Sequence, residues 1–222
     1  MRQTIHLAHQ VPYIVRTRLQ DTATSYAQHG WRVLPLHHLT FNGTCTCDHH
    51  QCPQPGQHLC YVRDIAEASS DLTMIARWWE QDPLMNIGLA TGDGLFVIEL
   101  DRRCVPSVDY FRQQYAVPET ALVRTEYGNW QLYFTYNRAL TLHTTSDQIG
   151  PGIHTYGAGD YVVAPPSLLP SGPYSWLHRI PPVRLPAVLL PFVLSTRLIN
   201  ECMVKSHVAT ISGGYRTDSA FS

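Results

Sequence analysis

Residues 95–101 read LFVIELD, an apolar run that ends in two acidic side chains. A short apolar run bounded by turn residues is typical of a buried β-strand. Because side chains alternate between the two faces of a strand, Glu99 and Asp101 share one face. Neighbouring carboxylates repel each other unless a divalent cation or a shared proton lies between them, and Mg²⁺ prefers such oxygen ligands. The strand therefore predicts a cation site, and the alternative is a strand end whose carboxylates are simply hydrated.

Helical and strand-like patterns alternate on both sides of this strand. Apolar residues with a 3.6-residue period predict helices over 14–29, from residue 70 or 71 to a stop before Pro83, and over 107–115. Short apolar runs predict further strands at 31–36, 86–90, 121–126, 131–136, 153–156, 161–164 and 174–177. We therefore predict a fold of the α/β class, in its α+β form, rather than a helical bundle.

The length of 222 residues suits one domain with a short appendage. We predict that the domain covers residues 1–179. The segment 180–191 contains four prolines, which is typical of a semi-rigid linker. Residues 192–204 predict a short helix, and the polar remainder of 180–222 is predicted to be a disordered tail.

The composition excludes several classes of protein. Hydrophobic residues make up 44% of the chain and charged residues 15%, which excludes a disordered chain. Sixteen Lys and Arg residues against 17 Asp and Glu residues exclude a strongly basic nucleic-acid coat, although a local basic groove remains compatible. We find no apolar segment that predicts an export signal or a membrane span, so we expect a cytoplasmic location and no membrane partner.

Four of the six cysteines fall within the 16 residues 45–60, together with three histidines. A secreted disulfide scaffold spreads its cysteines, whereas clustered Cys and His in a cytosolic protein indicate metal. The loop 43–60 is broken by glycine and proline and has no core of its own, so a structural Zn²⁺ would stabilise it. The alternative is an unmetallated polar loop, because the Cys-x-Cys start is tighter than usual. The ligands that we predict are Cys45, Cys47, Cys52 and His58, and the competing ligands are His49, His50 and Cys60.

Two further motifs contain polar residues next to glycine turns. Residues 124–131 read RTEYGNWQ, and a glycine turn beside an arginine can bind phosphate through backbone N–H groups. An ordinary hairpin without a ligand gives the same pattern. His154 follows the glycine-rich segment 150–153 and opens a predicted strand. A single histidine in such a position is more often structural than a ligand.

The order of these motifs resembles that of the bifunctional primase–polymerase N-terminal domain, a family of the archaeo-eukaryotic primase superfamily found on plasmids, phages and mobile elements. The resemblance covers roughly residues 26–177. Its segments are YAQHGWRVLPL (26–36), the Cys-x-Cys-x4-Cys stretch that ends in GQH (56–58), NIGLATG (86–92), FVIELD (96–101), RT (124–125), LYF (132–134), GPGI (150–153) and GDYVVAPPS (159–167).

The resemblance implies a primase-type fold, in which a mostly antiparallel sheet of the RNA-recognition type is fused to an N-terminal α/β unit. It implies a DNA-directed nucleotidyltransferase, in which a 3′-hydroxyl attacks the α-phosphate of a nucleoside triphosphate on a DNA template with divalent metals. It also implies a separate helicase as a partner, since the chain ends too soon to include one. The implied site residues are Glu99, Asp101 and His154 for catalysis and Arg124, Thr125, Gly128 and Gln131 for nucleotide binding.

The chain departs from the family pattern at three of these positions. Glu99 stands where aspartate is usual, Gln131 where a triphosphate-binding histidine is usual, and His154 where a third carboxylate is usual. Imidazole suits Mn²⁺ better than Mg²⁺, so we expect Mn²⁺ to be the favoured catalytic cation.

Three functional hypotheses follow from these observations. The first is an active but divergent primase–polymerase that acts in replication or repair of a plasmid, phage or mobile element. The second is a catalytically silent relative that binds nucleic acid or nucleotide as an initiation or regulatory module. The third is an unrelated zinc-bearing interaction protein.

Overall fold

The structure is a computed structural model that describes residues 13–47, 49 and 51–194. Its α-helices are α1 (Tyr13–Gln28), α2 (Leu72–Gln81), α3 (Val108–Gln114) and α4 (Leu190–Val193). Its strands are β1 (Val33–Leu36), β2 (Asn86–Ala90), β3 (Leu95–Leu100), β4 (Leu122–Arg124), β5 (Trp130–Thr135), β6 (Thr145–Ser146), β7 (Ile153–Tyr156), β8 (Tyr161–Ala164), β9 (Leu168–Leu169), β10 (Gly172–Pro173), β11 (Ser175–His178) and β12 (Val183–Arg184). Short 3₁₀ helices cover Ile65–Glu67 and Ala187–Leu189. Within the described ranges, no helix is both long enough and apolar enough to cross a membrane.

Local signals in the sequence set the ends of the first two helices. Gly30 lies just beyond α1 and has φ +82, and a residue in this left-handed conformation commonly ends a helix. Its amide donates to the carbonyl of Ala27 within α1. The Asp71 side chain accepts hydrogen bonds from the first N–H groups of α2, as an N-cap residue does. Pro83 follows α2 and cannot continue it, because proline lacks the N–H group that an internal helical position requires.

The strands form two main sheets. The smaller sheet has the order β1-β2-β8, and the larger has the order β11-β4-β5-β3-β7-β6, with β12 added to β5. All pairings in these sheets are antiparallel except that of β12 with β5. This architecture confirms the predicted α+β class.

Two clusters of buried apolar side chains lie on opposite faces of β3. Val97 belongs to the cluster that also contains residues of α1, α2 and the smaller sheet. Phe96, Ile98 and Leu100 belong to the cluster that contains Phe111 of α3. The period of two in a strand therefore turns Glu99 towards the side of the smaller sheet. This alternation positions the acidic face of β3 between the larger sheet, to which β3 belongs, and the smaller sheet.

The proline-rich segment differs from the predicted linker. β12 pairs in parallel with β5, and three apolar residues at four-residue intervals, Leu185, Leu189 and Val193, are buried in the second cluster. Burial of these side chains holds the segment on the sheet, and all four prolines of the segment lie outside β12, so none of them removes an N–H group from its pairing with β5. The predicted helix over 192–204 overlaps α4 only at residues 192 and 193, because α4 ends at Val193 and Leu194 is extended and bridges to Leu142. The remainder of that prediction, from residue 195, and the predicted tail lie outside the described residues.

Candidate active site and metal centre

Strand β3 lies between β5 and β7 and carries Glu99 near its end. Gln131 on β5 and His154 on β7 both pair directly with Glu99. Directly opposed residues of antiparallel strands project from the same face of a sheet. The three side chains therefore form one row across the sheet. We use the name acidic row for Glu99, Gln131 and His154 together with Asp101.

Neutral donors hold the Glu99 carboxylate. Gln131 donates from Nε2 to Oε2 at 2.9 Å, and Asn129 donates from Nδ2 to Oε1 at 3.0 Å. The Tyr156 hydroxyl donates to Oε2 at 3.4 Å, and burial and then the charge of Glu99 raise the pKa of this hydroxyl. Gln131 is only 2% exposed, and its Oε1 accepts from the Tyr133 hydroxyl at 3.3 Å. In this structure the Gln131 amide, predicted as a nucleotide contact, is therefore engaged within the protein.

Asp101 follows β3 and is clamped by Arg103. The guanidinium donates from Nε to Oδ1 at 3.0 Å and to Oδ2 at 3.1 Å, and from Nη2 to Oδ2 at 2.5 Å. The backbone N–H of Arg103 also donates to Oδ1, at 2.9 Å. The bonds from the Arg103 side chain and backbone, together with the charges of Arg103 and His154, lower the pKa of Asp101 to about 2. The carboxylate is therefore ionised at neutral pH.

A cleft of about 390 Å³ opens beside Glu99. Among the described residues, the charged side chains that line it are acidic and are joined by several tyrosines: Glu99, Glu126, Asp160, Tyr156, Tyr161 and Tyr174. Thr125 also lines the cleft, and its Oγ1 is buried without a hydrogen-bond partner in the described part of the chain. The cleft therefore offers a buried hydroxyl to a polar ligand but no cationic group to a phosphate.

A second groove, of about 850 Å³, is basic and shares two lining residues with the cleft, Glu126 and Tyr127. Its other lining residues are Arg102, Arg103, Arg124, Gly128 and Trp130, and we call it the arginine groove. Gly128 adopts φ +82 and packs closely on Arg102. A Cβ at this position would lie 3.3 Å from Arg102 Cδ. Guanidinium groups bind phosphates and indole rings stack on bases. The groove therefore has the chemistry of a nucleic-acid or nucleotide site.

The loop between β1 and α2 brings the four predicted zinc ligands together. One ligand atom from each residue lies within 4.8 Å of all the others, in the cluster Cys45, Cys47, Cys52 and His58. His58 Nε2 is 3.3 Å from Cys45 Sγ and 3.4 Å from Cys52 Sγ. These separations are close to the ~3.5 Å expected between sulfur and nitrogen ligands of a tetrahedral Zn²⁺. The cluster could therefore hold a metal such as zinc.

The two competing ligands that the structure describes do not join this cluster. Cys60 and His49 stand outside it, and His50 lies outside the described residues. Burial raises the pKa of Cys60 to about 11 and also raises the pKa of Cys52 to about 11. A metal that binds thiolates must therefore displace a proton from Cys52, so metal binding here is linked to proton release.

Two consecutive histidines that follow β1 connect the cluster to its surroundings. The rings of His37 and His58 lie with their centroids 4.4 Å apart. His38 Nε2 lies 2.9 Å from Asp82 Oδ2 at the end of α2, which joins the loop to that helix. Burial by itself lowers the pKa of His38, but the hydrogen bond and charge of Asp82 outweigh burial and raise it.

A comparison with protein families gives a match over residues 23–188 to the bifunctional DNA primase/polymerase N-terminal domain. These residues make up most of the 222-residue chain. The chain belongs to this family. A comparison with curated proteins gives no match. The match extends past residue 179, where we predict the primase–polymerase domain to end, and includes β12.

Sequence reasoning missed Arg103 and Asn129, which contact the acidic row of this primase–polymerase domain, and Arg102, which contacts Asn129. Arg103 clamps Asp101, and Asn129 donates to Glu99 while its Oδ1 accepts from the backbone N–H of Arg102 at 3.2 Å. The signal for the arginines was available, because two consecutive arginines directly follow a carboxylate. No local pattern indicates the contact of Asn129, because it joins residues that are 30 positions apart.

Gly152 packs against the acidic row, and its carbonyl accepts the backbone N–H of Asp101 at 2.8 Å. Its φ is +71, and a Cβ there would lie 2.3 Å from the Cβ of Cys104. We expect Gly152→Ala to lower the free energy of unfolding by about 2–5 kcal/mol, because a left-handed backbone and overpacking both contribute. Urea unfolding measures this loss.

The matched control is Gly159→Ala. Gly159 has φ +81, but nothing lies within 4 Å of its Cβ position. We expect a loss of about 1–2 kcal/mol from the backbone conformation alone. Equal losses for the two variants would contradict the close packing of Gly152.

Proposed function

We propose that this domain is a DNA-directed nucleotidyltransferase that initiates or extends a strand on a DNA template from nucleoside triphosphates. The observation that carries the proposal is the acidic row, whose Glu99 and Gln131 line the cleft and whose Asp101 is bound by Arg103 of the arginine groove. Membership of the primase/polymerase family supports DNA and nucleotides as substrates. Replication or repair of a plasmid, phage or mobile element, a cytoplasmic location and a separate helicase are further parts of this proposal.

We propose that Glu99 and Asp101 bind the catalytic divalent cation and that His154 lies next to it. Two carboxylates and an imidazole fit Mn²⁺ better than Mg²⁺, because Mn²⁺ accepts nitrogen ligands more readily. When bound, the cation would polarise the α-phosphate and stabilise negative charge at the attacking and leaving oxygens. Asn129 and Gln131 would keep the Glu99 carboxylate oriented through their amide N–H groups.

We propose that the nucleotide lies across the cleft and the arginine groove. The phosphates would lie against Arg124 at the border of the arginine groove, since the cleft has no cationic lining among the described residues. Thr125 would contact the sugar or the base after a rotation of its side chain into the cleft, because its hydroxyl is buried and has no partner within the described protein. The turn at Gly128 would keep the arginine groove open between the subsite for the phosphates and the subsite for the sugar or the base.

Zn²⁺ is proposed to be structural, with Cys45, Cys47, Cys52 and His58 as its ligands. Four protein ligands close a tetrahedral site and leave no open position for a substrate. Three thiolates and one imidazole are typical of such closed sites.

Primer extension on a DNA template tests the proposed function. We expect the wild-type chain to extend a primer faster with Mn²⁺ than with Mg²⁺, by about tenfold, which corresponds to 1.4 kcal/mol of barrier. His154→Asp should increase the rate with Mg²⁺, because it adds the oxygen ligand that Mg²⁺ prefers. Equal rates with both metals in the wild-type chain would contradict the assignment of His154.

The second candidate function is a catalytically silent module that binds nucleic acid or nucleotide. The observation that favours it is the internal pairing of both carboxylates, since protein donors already engage Glu99 and Asp101. Fluorescence anisotropy with a labelled primer–template separates the two functions. Tight DNA binding without extension in either metal would support the silent module.

A further inference from the structure

Arg103 belongs to two parts of the site at once. Its guanidinium bonds to both oxygens of Asp101 in the acidic row. The same side chain lines the arginine groove with Arg102 and Arg124. One side chain therefore lies between the carboxylate expected to bind a cation and the groove suited to phosphate.

The clamp covers Asp101 from the solvent. The Asp101 side chain is 8% exposed and the Arg103 side chain is 84% exposed, so the guanidinium is the outer member of the pair. A cation that approaches from solvent meets this positive charge first, and two cationic groups at one carboxylate repel each other. Cation binding at Asp101 therefore requires Arg103 to move away.

A phosphate group can compete with Asp101 for the guanidinium of Arg103. Guanidinium forms paired hydrogen bonds to a phosphate as readily as to a carboxylate. Because the Arg103 side chain is 84% exposed, it can turn towards a new partner without repacking the protein interior, and a phosphate replaces the paired hydrogen bonds that Arg103 loses from Asp101. A DNA phosphate next to Arg102 would offer Arg103 a second anionic partner in the same groove, while Arg124 remains free for the nucleotide.

We propose that Arg103 is an intramolecular competitor of the divalent cation at Asp101, and that DNA in the arginine groove releases Asp101 by binding Arg103. The proposal rests on the proposed function in one respect, namely that the cation binds at Asp101. DNA binding and cation binding then strengthen each other, since such coupling is reciprocal. The cation site would be completed only when DNA is present.

Binding of Mn²⁺ to the zinc-loaded full chain tests the proposal without any catalytic step. The electron paramagnetic resonance signal of free Mn²⁺ is measured with and without a short oligothymidylate, whose own Mn²⁺ binding is subtracted. We expect the oligothymidylate to tighten Mn²⁺ binding to the wild-type chain by about tenfold, within the usual range of coupling between sites. Arg103→Ala should bind Mn²⁺ about tenfold more tightly than wild type without DNA, and DNA should then add little.

Three further variants make this test specific. Arg103→Gln should behave like Arg103→Ala, because it removes the charge and keeps a polar side chain. Arg138→Ala is the matched control, since Arg138 is also an exposed arginine paired with an aspartate, Asp93, at 3.7 Å, and it should bind Mn²⁺ like wild type. Asp101→Asn should lose the Mn²⁺ site with and without DNA.

Several outcomes would overturn the proposal. They are Mn²⁺ binding by both Arg103 variants that is no tighter than wild type, an equal gain in Arg138→Ala, and Mn²⁺ binding that survives Asp101→Asn. If the binding results are as expected but no variant extends a primer, the coupling stands and the proposed catalytic function fails.

Discussion

Asp101→Asn is expected to lower the rate of primer extension with Mn²⁺ by at least about 100-fold, which corresponds to about 2.7 kcal/mol of barrier. The substitution removes the negative charge that binds the cation and keeps the size of the side chain. It also keeps an oxygen that can accept the backbone N–H of Arg103, so we expect the fold to persist. Initial rates under saturating nucleotide measure the effect.

The control for this variant is Asp109→Asn. Asp109 lies in the first turn of α3 and forms an exposed ion pair with Arg112 at 3.6 Å. The chemical change is identical, but the residue lies outside the acidic row, so the extension rate should stay at the wild-type value. A rate that is unchanged in Asp101→Asn would remove Asp101 from the proposed mechanism.

Cys52→Ser is expected to abolish stoichiometric zinc binding and to destabilise the domain. Structural Zn²⁺ contributes about 10–16 kcal/mol in isolated zinc-finger peptides. A loss of only about 3 kcal/mol would lower the Tm of a domain of this size by about 6–12 °C. Metal analysis should give about one zinc per wild-type chain, and thermal unfolding measures the change in stability.

Cys60→Ser is the matched control in the same loop. Cys60 lies outside the cluster of Cys45, Cys47, Cys52 and His58, so its thiol is too far from these ligands to share a metal with them. We expect this variant to retain its zinc and to lose little stability. Equal zinc loss in the two variants would mean that Cys60 replaces one of the proposed ligands.

The elements near the acidic row could be predicted because their signals are local. The alternation in LFVIELD indicates which face of β3 carries the carboxylates, and Asp71 and Pro83 mark the ends of α2. The family motifs likewise follow one another in the sequence, and the family match confirms the assignment. Neither signal depends on contacts between distant parts of the chain.

The proline-rich segment shows where composition misleads. Its four prolines are typical of a linker, yet Leu185 and Leu189 are buried against the larger sheet. Composition records the stiffness of the chain, whereas packing depends on whether an apolar surface is available nearby. The second apolar cluster provides that surface, and it combines side chains from α3 and the larger sheet, which are far apart in the sequence.

By itself, the sequence determined the fold class, the family, the two carboxylates at the end of β3 and the four Cys/His side chains that come together in one loop. Only the tertiary structure decided which partners these groups have. Gln131 donates to Glu99 across paired strands, Asn129 reaches the same carboxylate from a turn, and Arg103 covers Asp101. The physical reason is that strand alternation and ligand spacing are properties of a short segment, whereas hydrogen bonds across a sheet depend on register and on the path of each turn.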